Sequence, residues 1–342
     1  MVASLPYWVG FEPTESLVVV CCHEPRGRVG LSMRFDLPAG GPGHDGPRRD
    51  LVHQVAARVR HERASRVVLA VYTDEGDGPA GRPRQGLIDA LSCALSELVV
   101  TEAVLVRGGR FWSYLCERPS CCPPRGRPVE AGSASAPVRL LQAESVLSGR
   151  AVLPDRAAVV ASLAAPPLPT AAAARLRCRR CEDVLASSVL ADGVQDTREA
   201  SRSAWLDAVG RFRVPPGALD DVEAAALAVS LVDVVVRDGV LGLWREDDCG
   251  LPLLLTELCR RTPPPYDAPV CTVLAWVSYA AGGGALVGVS LDRALATDPD
   301  YPLALLLAEA LVRQVSPRSM RDALQSSRPA GPAPNTWTGR DR

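Results

Sequence analysis

The chain has 342 residues, of which 47% are hydrophobic and 23% are charged, and these values are ordinary for globular proteins. Roughly 150 residues per domain is a useful prior, so this length is enough for two domains. The sequence contains no lysine; its 38 arginines and 39 acidic residues give a formal net charge of −1. Proteins that neutralise nucleic-acid phosphates usually carry a basic domain or stripe. This charge balance therefore argues against a nucleic-acid partner.

The N-terminal segment lacks the features of an export signal. Its apolar run, Leu17–Cys22, comes too late and is too short for a signal peptide. No stretch approaches the ~20 apolar residues that span a bilayer, so we expect a cytoplasmic protein with no membrane partner. In that compartment the 11 cysteines should be reduced thiols. Their odd number also argues against a framework in which every cysteine is paired.

The first 130 residues predict an α/β domain with a mixed sheet and the element order β-β-α-β-α-β-β. Short apolar or alternating runs predict the strands, and apolar residues at helical spacing predict the helices. Strands are expected at 17–22, 29–35, 67–72, 103–107 and 110–116, and helices at 49–63 and 86–99. Gly108-Gly109 separates the last two strands, which is typical of a hairpin because primed turns need positive φ at their central residues. A segment rich in Pro, Gly and Ser ends the domain near Glu130.

Residues 131–316 predict an all-α helical domain, and residues 317–342 predict a disordered tail rich in Pro, Ser and Arg. Pro and Gly breaks separate helices expected at 138–147, 155–164, 171–191, 198–209, 219–236, 252–261, 270–281, 285–297 and 302–315. The segment Thr272–Gln314 is similar to one and a half tetratricopeptide-type units, with Tyr279, Ala294 and Pro299 at the motif's spacings. A stable solenoid needs about three repeats, so we expect one helical hairpin packed on its neighbours.

An ordered set of short motifs resembles one known family. The motifs are Leu5–Val20, Arg34–Pro38, Val71–Asp74, Trp112–Cys116 with Cys121–Gly126, and Ala294–Tyr301. Together they are similar to an actinobacterial, uncharacterised family named domain of unknown function 4192. The resemblance extends to about residue 316. It implies an α/β-plus-helical layout in a bacterial cytoplasmic protein, but it implies no reaction.

Cys116, Cys121 and Cys122 form the strongest group of candidate metal ligands in the sequence. Thiolates bind Zn²⁺, but a structural site needs four ligands and usually has a Cys-x2-Cys spacing, and two adjacent cysteines are awkward ligands for one ion. A thiol switch is an alternative, because the nearby Arg118 and Arg125 can lower a thiol pKa. We favour a structural turn that caps the hairpin. The sequence therefore favours no metal and identifies no cofactor.

Three further residues are candidates because of their chemistry and position. Asp74 begins an acidic loop after a strand, and ligands in open α/β sheets bind beyond the carboxyl ends of strands; an ordinary Asp/Gly turn is the alternative. Glu12 lies before the first strand and suits acid–base chemistry. Arg110 shares a strand face with aromatic residues, which suits either a planar ligand or cross-strand packing.

The sequence contains no complete catalytic set and no phosphate-binding glycine loop. We therefore favour an interaction or regulatory protein that contacts a protein partner through its helical domain. The alternative is a small-molecule enzyme or ligand sensor with its site at the strand ends. Its candidate residues are Glu12, Asp74, Arg110 and Cys116. The ligand, the partner and the oligomeric state stay open at this point.

Overall fold

The computed structural model of the chain describes residues 1–25, 27–39, 45–77, 81–130, 135–147, 152–214, 217–245, 248–281, 284–313, 315–316, 319–320 and 322. Two compact units divide the chain. One comprises Met1–Ala164, Ala281–Ser290 and Leu307–Ser316, and the other comprises Ala165–Ala280, Leu291–Leu306 and Pro317–Arg342. The boundary predicted at residue 130 was placed where strands give way to helices, whereas these two units are defined by compactness. The predicted domain boundary therefore stays a prediction. Except for three positions, the predicted tail at 317–342 lies outside the described residues.

The predicted fold class is confirmed, because a mixed sheet with helices is followed by a mainly helical region. The strands are β1 (Ser16–His23), β2 (Arg28–Asp36), β3 (Arg66–Tyr72), β4 (Val99–Arg107), β5 (Arg110–Ser113) and β6 (Arg127–Pro128). The helices up to residue 164 are α1 (Leu5–Val9), α2 (Asp45–His61), α3 (Gln85–Ala94), α4 (Ala136–Leu147) and α5 (Arg156–Ser162). Those that follow are α6 (Thr170–Asp192), α7 (Val194–Phe212), α8 (Asp221–Ser230), α9 (Val234–Leu241), α10 (Gly250–Arg261), α11 (Asp267–Ala280), α12 (Gly284–Thr297) and α13 (Pro302–Val312).

Among the described residues, six strands form one sheet in the order β2-β1-β3-β4-β5-β6. β3 and β4 are parallel, and the other neighbouring pairs are antiparallel. The first residue of β1, Ser16, therefore pairs with the last residue of β3, Tyr72, and Tyr72 pairs in turn with Val106 of β4. Residues that precede β1 consequently lie at the same sheet edge as residues that follow β3 and β4.

The core of the sheet explains why its central strands are continuously apolar. Leu17 of β1 and Leu69 of β3 pack with Val55 of α2 and Leu91 of α3 in one buried cluster. Val18, which points to the other face of β1, is also fully buried. A strand that is buried on both faces reads as an apolar run rather than as an alternating pattern, as the sequence predicted for β1.

The helical region contains one break that the sequence analysis missed. A single helix was expected over 219–236, but it is divided into α8 and α9. Asp233 causes the break, because its side chain caps α9 by accepting a hydrogen bond from Val235 N at 2.8 Å and also pairs with Arg198. The tetratricopeptide-type geometry expected for α11 to α13 stays a prediction. In the described part of the chain, no helix combines the length and the apolar character needed to cross a membrane.

Candidate functional site

A cleft of about 410 Å³ opens at the edge where β1 begins and β3 and β4 end. The N-terminal segment, the ends of β3 and β4, the β4–β5 turn and α4 all contribute to its lining. The lining residues are Val2, Ala3, Pro6, Tyr7, Glu12, Pro13, Thr14, Glu15, Tyr72, Thr73, Asp74, Val106, Arg107, Gly108, Gly109, Val129, Glu130 and Gln142. Two of the predicted candidates, Glu12 and Asp74, therefore share one cleft at the predicted edge of the sheet.

Glu15 ties the start of β1 to the end of β3. Its backbone is in the left-handed region, with φ of 41°, which strains a non-glycine residue by roughly 1–3 kcal/mol. Its carboxylate accepts hydrogen bonds from Thr73 Oγ1 at 2.9 Å and from Asp74 N at 3.0 Å. Hydrogen bonds to an ionised acceptor are stronger than neutral ones, so they hold this conformation and fix the position of Asp74.

The protein changes the titration of Glu12, a carboxyl group that lines the cleft. Its side chain keeps contact with solvent, yet the protein atoms around it displace enough water to raise its pKa above the usual value. Burial also raises the pKa of the Tyr72 hydroxyl, and the negative charge of Glu12 raises it further. The cleft therefore holds a carboxyl group that resists ionisation beside a phenol that stays protonated.

Arginine side chains pair with Glu75 and Asp77, the other two carboxylates of the acidic loop that follows β3. Arg107 stacks over the Trp112 ring at 5.2 Å, donates a hydrogen bond to the Glu75 carbonyl oxygen, and reaches Asp77 at 3.2 Å. The Glu75 carboxylate pairs with Arg84 at 2.7 Å. Glu75 and Asp77 therefore hold the loop in place, whereas Asp74 contributes its surface to the cleft.

The balance of charge in the cleft is negative. Four lining residues are acidic, namely Glu12, Glu15, Asp74 and Glu130, whereas Arg107 is the basic residue among the described lining. Interactions between charges are stronger in a partly water-excluded concavity than in bulk water. Such a cleft favours a positively charged ligand over an anionic one.

The two other predicted candidates, Arg110 and Cys116, do not line the cleft. Arg110 donates hydrogen bonds to the carbonyl oxygens of Arg125 at 2.6 Å and Gly126 at 2.9 Å. It therefore anchors the loop that follows β5 rather than contacting the cleft. Cys116 lies within that loop, which we call the cysteine loop (residues 114–126). The structure thus divides the four candidates between two places.

The cysteine loop is anchored against β5 at its far end. Trp112 Nε1 donates a hydrogen bond to the Pro124 carbonyl oxygen at 2.9 Å. Gly126 has a positive φ of 69°, and a Cβ atom at this position would lie 2.5 Å from Trp112 Cε2. A side chain at residue 126 is therefore excluded both by backbone conformation and by the close approach of the indole ring.

The cysteine loop brings together the three thiols that the sequence grouped. The Sγ atoms of Cys116, Cys121 and Cys122 all lie within 4.8 Å of one another, and those of Cys116 and Cys121 are 3.3 Å apart. A hydrogen bond from the Arg118 amide, with further ones from the neighbouring thiols, lowers the pKa of Cys116. Burial and the neighbouring thiols raise the pKa of Cys122 to about 12. The loop therefore shifts the pKa values of Cys116 and Cys122 in opposite directions.

The sequence analysis missed Tyr7, Tyr72 and Arg107 as cleft residues. Tyr72 and Arg107 end two parallel neighbouring strands, so knowledge of that pairing would have placed them together. Tyr7 lies in α1, which is five residues long and too short to produce a recognisable helical period. Pairing information was therefore the missing signal for two of the three residues.

Similarity to known proteins identifies the family of the chain but not the chemistry of its cleft. Neither the curated proteins nor the solved structures gave a significant match. A family model described as a domain of unknown function (DUF4192) matches residues 1–318. Because this match spans most of the 342 residues, the chain belongs to the DUF4192 family.

Proposed function

We propose that this protein binds a small cationic molecule, carrying an amine or guanidinium group, in the cleft at the strand ends. The observation that carries the proposal is the excess of carboxylates over guanidinium groups in the cleft lining. Position supports it as well, because ligands of open α/β sheets bind beyond the carboxyl ends of parallel strands. This function belongs to the class of ligand sensors and small-molecule enzymes.

The two carboxyl groups before β1 support a cationic ligand in different ways. Hydrogen bonds from Thr73 and Asp74 fix the position of the Glu15 carboxyl group in the cleft. Desolvation disfavours the charged form of Glu12, and a nearby positive charge relieves that penalty. A cation in the cleft should therefore lower the pKa of Glu12. Its binding should release the proton of the Glu12 carboxyl group wherever that group was protonated beforehand.

Ligand screening by thermal shift provides the first test. Primary amines and guanidinium compounds should raise Tm, because a ligand that binds the folded state alone adds about 2.7 kcal/mol of stability at a concentration of 100 Kd. Carboxylate compounds of matched size should not raise it. The Glu12→Gln variant should weaken binding of the cationic hits, whereas Glu309→Gln, which removes an exposed carboxylate on α13, should not. Stabilisation by anions alone, or equal binding by both variants, would contradict the proposal.

The stability of the unliganded protein should also depend on Glu12 in a defined direction. Since the pKa of Glu12 is raised above 4.5 in the folded state, the folded protein holds more protons than the unfolded chain between these two values. The contribution of Glu12 to stability therefore falls as the pH rises through this window. Glu12→Gln should be more stable than the wild type above the folded pKa, and this difference should vanish below pH 4.5.

Urea unfolding across about pH 4 to pH 8 measures this difference directly. Glu309→Gln serves as the control, because its partner Arg313 is also exposed. A Glu12→Gln variant that is less stable than the wild type at neutral pH would show that the Glu12 carboxylate makes a favourable contact in the folded protein. In that case the desolvation argument for Glu12 would be wrong.

An interaction function through the helical region stays a second proposal. The observation that favours it is exposed apolar surface on α13, where the side chains of Leu306 and Val312 lie largely in solvent. Exposed apolar residues that are scattered singly are common on protein surfaces. We therefore place this proposal behind ligand binding in the cleft.

A further inference from the structure

The three thiols of the cysteine loop lie close to the spacing that one metal ion requires. Sulfurs bound at about 2.3 Å to a tetrahedral ion lie about 3.8 Å apart. The three Sγ atoms here are all within 4.8 Å of one another, and the shortest pair is 3.3 Å apart. Changes of about 1 Å or less in these separations would complete the coordination geometry. The adjacent Cys121 and Cys122, expected to be awkward ligands, therefore have sulfurs close enough to each other and to that of Cys116 to share one ion.

The loop is organised before any ion binds. The Arg118 carbonyl oxygen accepts hydrogen bonds from Cys121 N at 3.2 Å and Cys122 N at 2.7 Å, which forms a tight turn. Arg110 and Trp112 of β5 hold the end of the loop through its carbonyl oxygens. Little conformational entropy is left to lose when the thiols come together on an ion.

Exposure distinguishes Cys121 from cysteines that serve only in packing. Cys121 is exposed, so it contributes little to a hydrophobic core. By contrast, Cys178 of α6 is buried in an apolar cluster with Ala225, Val229 and Tyr266, and burial raises its pKa to about 11. Packing in an apolar core therefore explains the position of Cys178 but not that of Cys121.

We infer that Cys116, Cys121 and Cys122 form a binding site for a thiophilic metal ion, either Zn²⁺ or Cu⁺. Soft thiolate ligands select these two ions over Mg²⁺, Ca²⁺ or Mn²⁺. Within the described residues, the group contains three ligands, and the exposed position of Cys121 leaves room for an outside ligand. A closed structural zinc site has four protein ligands, so we assign an open site. It is independent of the proposed function of the cleft.

Competition titrations on the full-length, reduced protein under anaerobic conditions test the site. Zn²⁺ and Cu⁺ are each supplied with a chromophoric chelator, and we expect one equivalent of at least one ion to bind. Loss of a second-sphere partner costs metal sites about 10–100-fold in affinity, so loss of a ligand in Cys121→Ser should cost at least about 100-fold. Since Cys121 is exposed, this substitution should leave folding intact. Cys93→Ser, which removes a different exposed thiol, is the matched control.

X-ray absorption on the loaded protein identifies the ion's neighbours. Three sulfur neighbours at about 2.3 Å would support the site, with an additional oxygen or nitrogen neighbour in the case of an open zinc site. Binding that is equal in the wild type and Cys121→Ser, a shell with fewer than three sulfurs, or failure of both ions to bind stoichiometrically would overturn the inference. Glu12→Gln should bind the ion normally, so the outcome does not depend on the cleft.

Discussion

Replacing Arg293 by Ala should lower the free energy of unfolding by about 3–5 kcal/mol, the range observed when one partner of a buried ion pair is removed. Its partner Asp267 is 1% exposed, and the Arg293 side chain is 15% exposed. Arg293 Nε donates to Asp267 Oδ2 at 2.9 Å, while its other nitrogens donate to the carbonyl oxygens of Cys259 at 2.8 Å and Thr262 at 2.9 Å. The substitution would therefore leave a buried carboxylate and two carbonyl groups without these donors.

Urea unfolding at neutral pH measures this loss, and Arg313→Ala provides the control. Arg313 forms an i,i+4 pair with Glu309, but its side chain is 74% exposed, and such pairs contribute about 0.3–0.5 kcal/mol. A double variant, Arg293→Met with Asp267→Leu, should recover much of the loss, because replacing a whole buried pair by apolar side chains is often neutral. Equal effects of Arg293→Ala and Arg313→Ala would show that the Asp267 pair is not buried in solution.

The sheet could be predicted from sequence because its elements are encoded locally. Only a few residues are needed to recognise the apolar runs of β1 and β3 and the Gly108-Gly109 turn. Both glycines adopt the positive φ that the hairpin needs. The break between α8 and α9 could not be predicted in this way. Asp233 lies within an otherwise continuous apolar pattern, and in the fold its side chain both caps α9 and pairs with Arg198, 35 residues away.

The two candidate sites also depend on contacts that the local sequence does not reveal. Asp74 could be predicted from a general rule about strand ends, whereas Glu15 acquires its role only because antiparallel pairing places it beside Thr73. For the cysteines, spacing in the sequence suggested poor chelation, yet the folded loop brings all three sulfurs within 4.8 Å of one another. Residue types were therefore predictable, and their convergence depended on strand pairing and backbone turns.

Replacing Trp205 by Ala should lower the free energy of unfolding by about 3–5 kcal/mol, as other large-to-small changes at buried aromatic residues do. Trp205 of α7 is 0% exposed. Its Nε1 atom donates to Ser230 Oγ at 2.9 Å, and Ser230 in turn donates to the Leu227 carbonyl oxygen at 2.7 Å. The substitution would create a cavity between α7 and α8 and remove the donor to Ser230.

Leu206→Ala is the control for Trp205→Ala, because Leu206 is the next residue on the same helix and is 46% exposed. Substitutions at such surface positions usually change stability by less than about 0.5 kcal/mol. Trp205→Phe should give an intermediate loss, since it keeps most of the ring volume but not the hydrogen bond to Ser230. Because the chain forms two compact units, unfolding should be followed by two probes, as a single transition cannot be assumed. If Trp205→Ala and Leu206→Ala lowered stability equally, the indole ring would not be the core residue that its burial indicates.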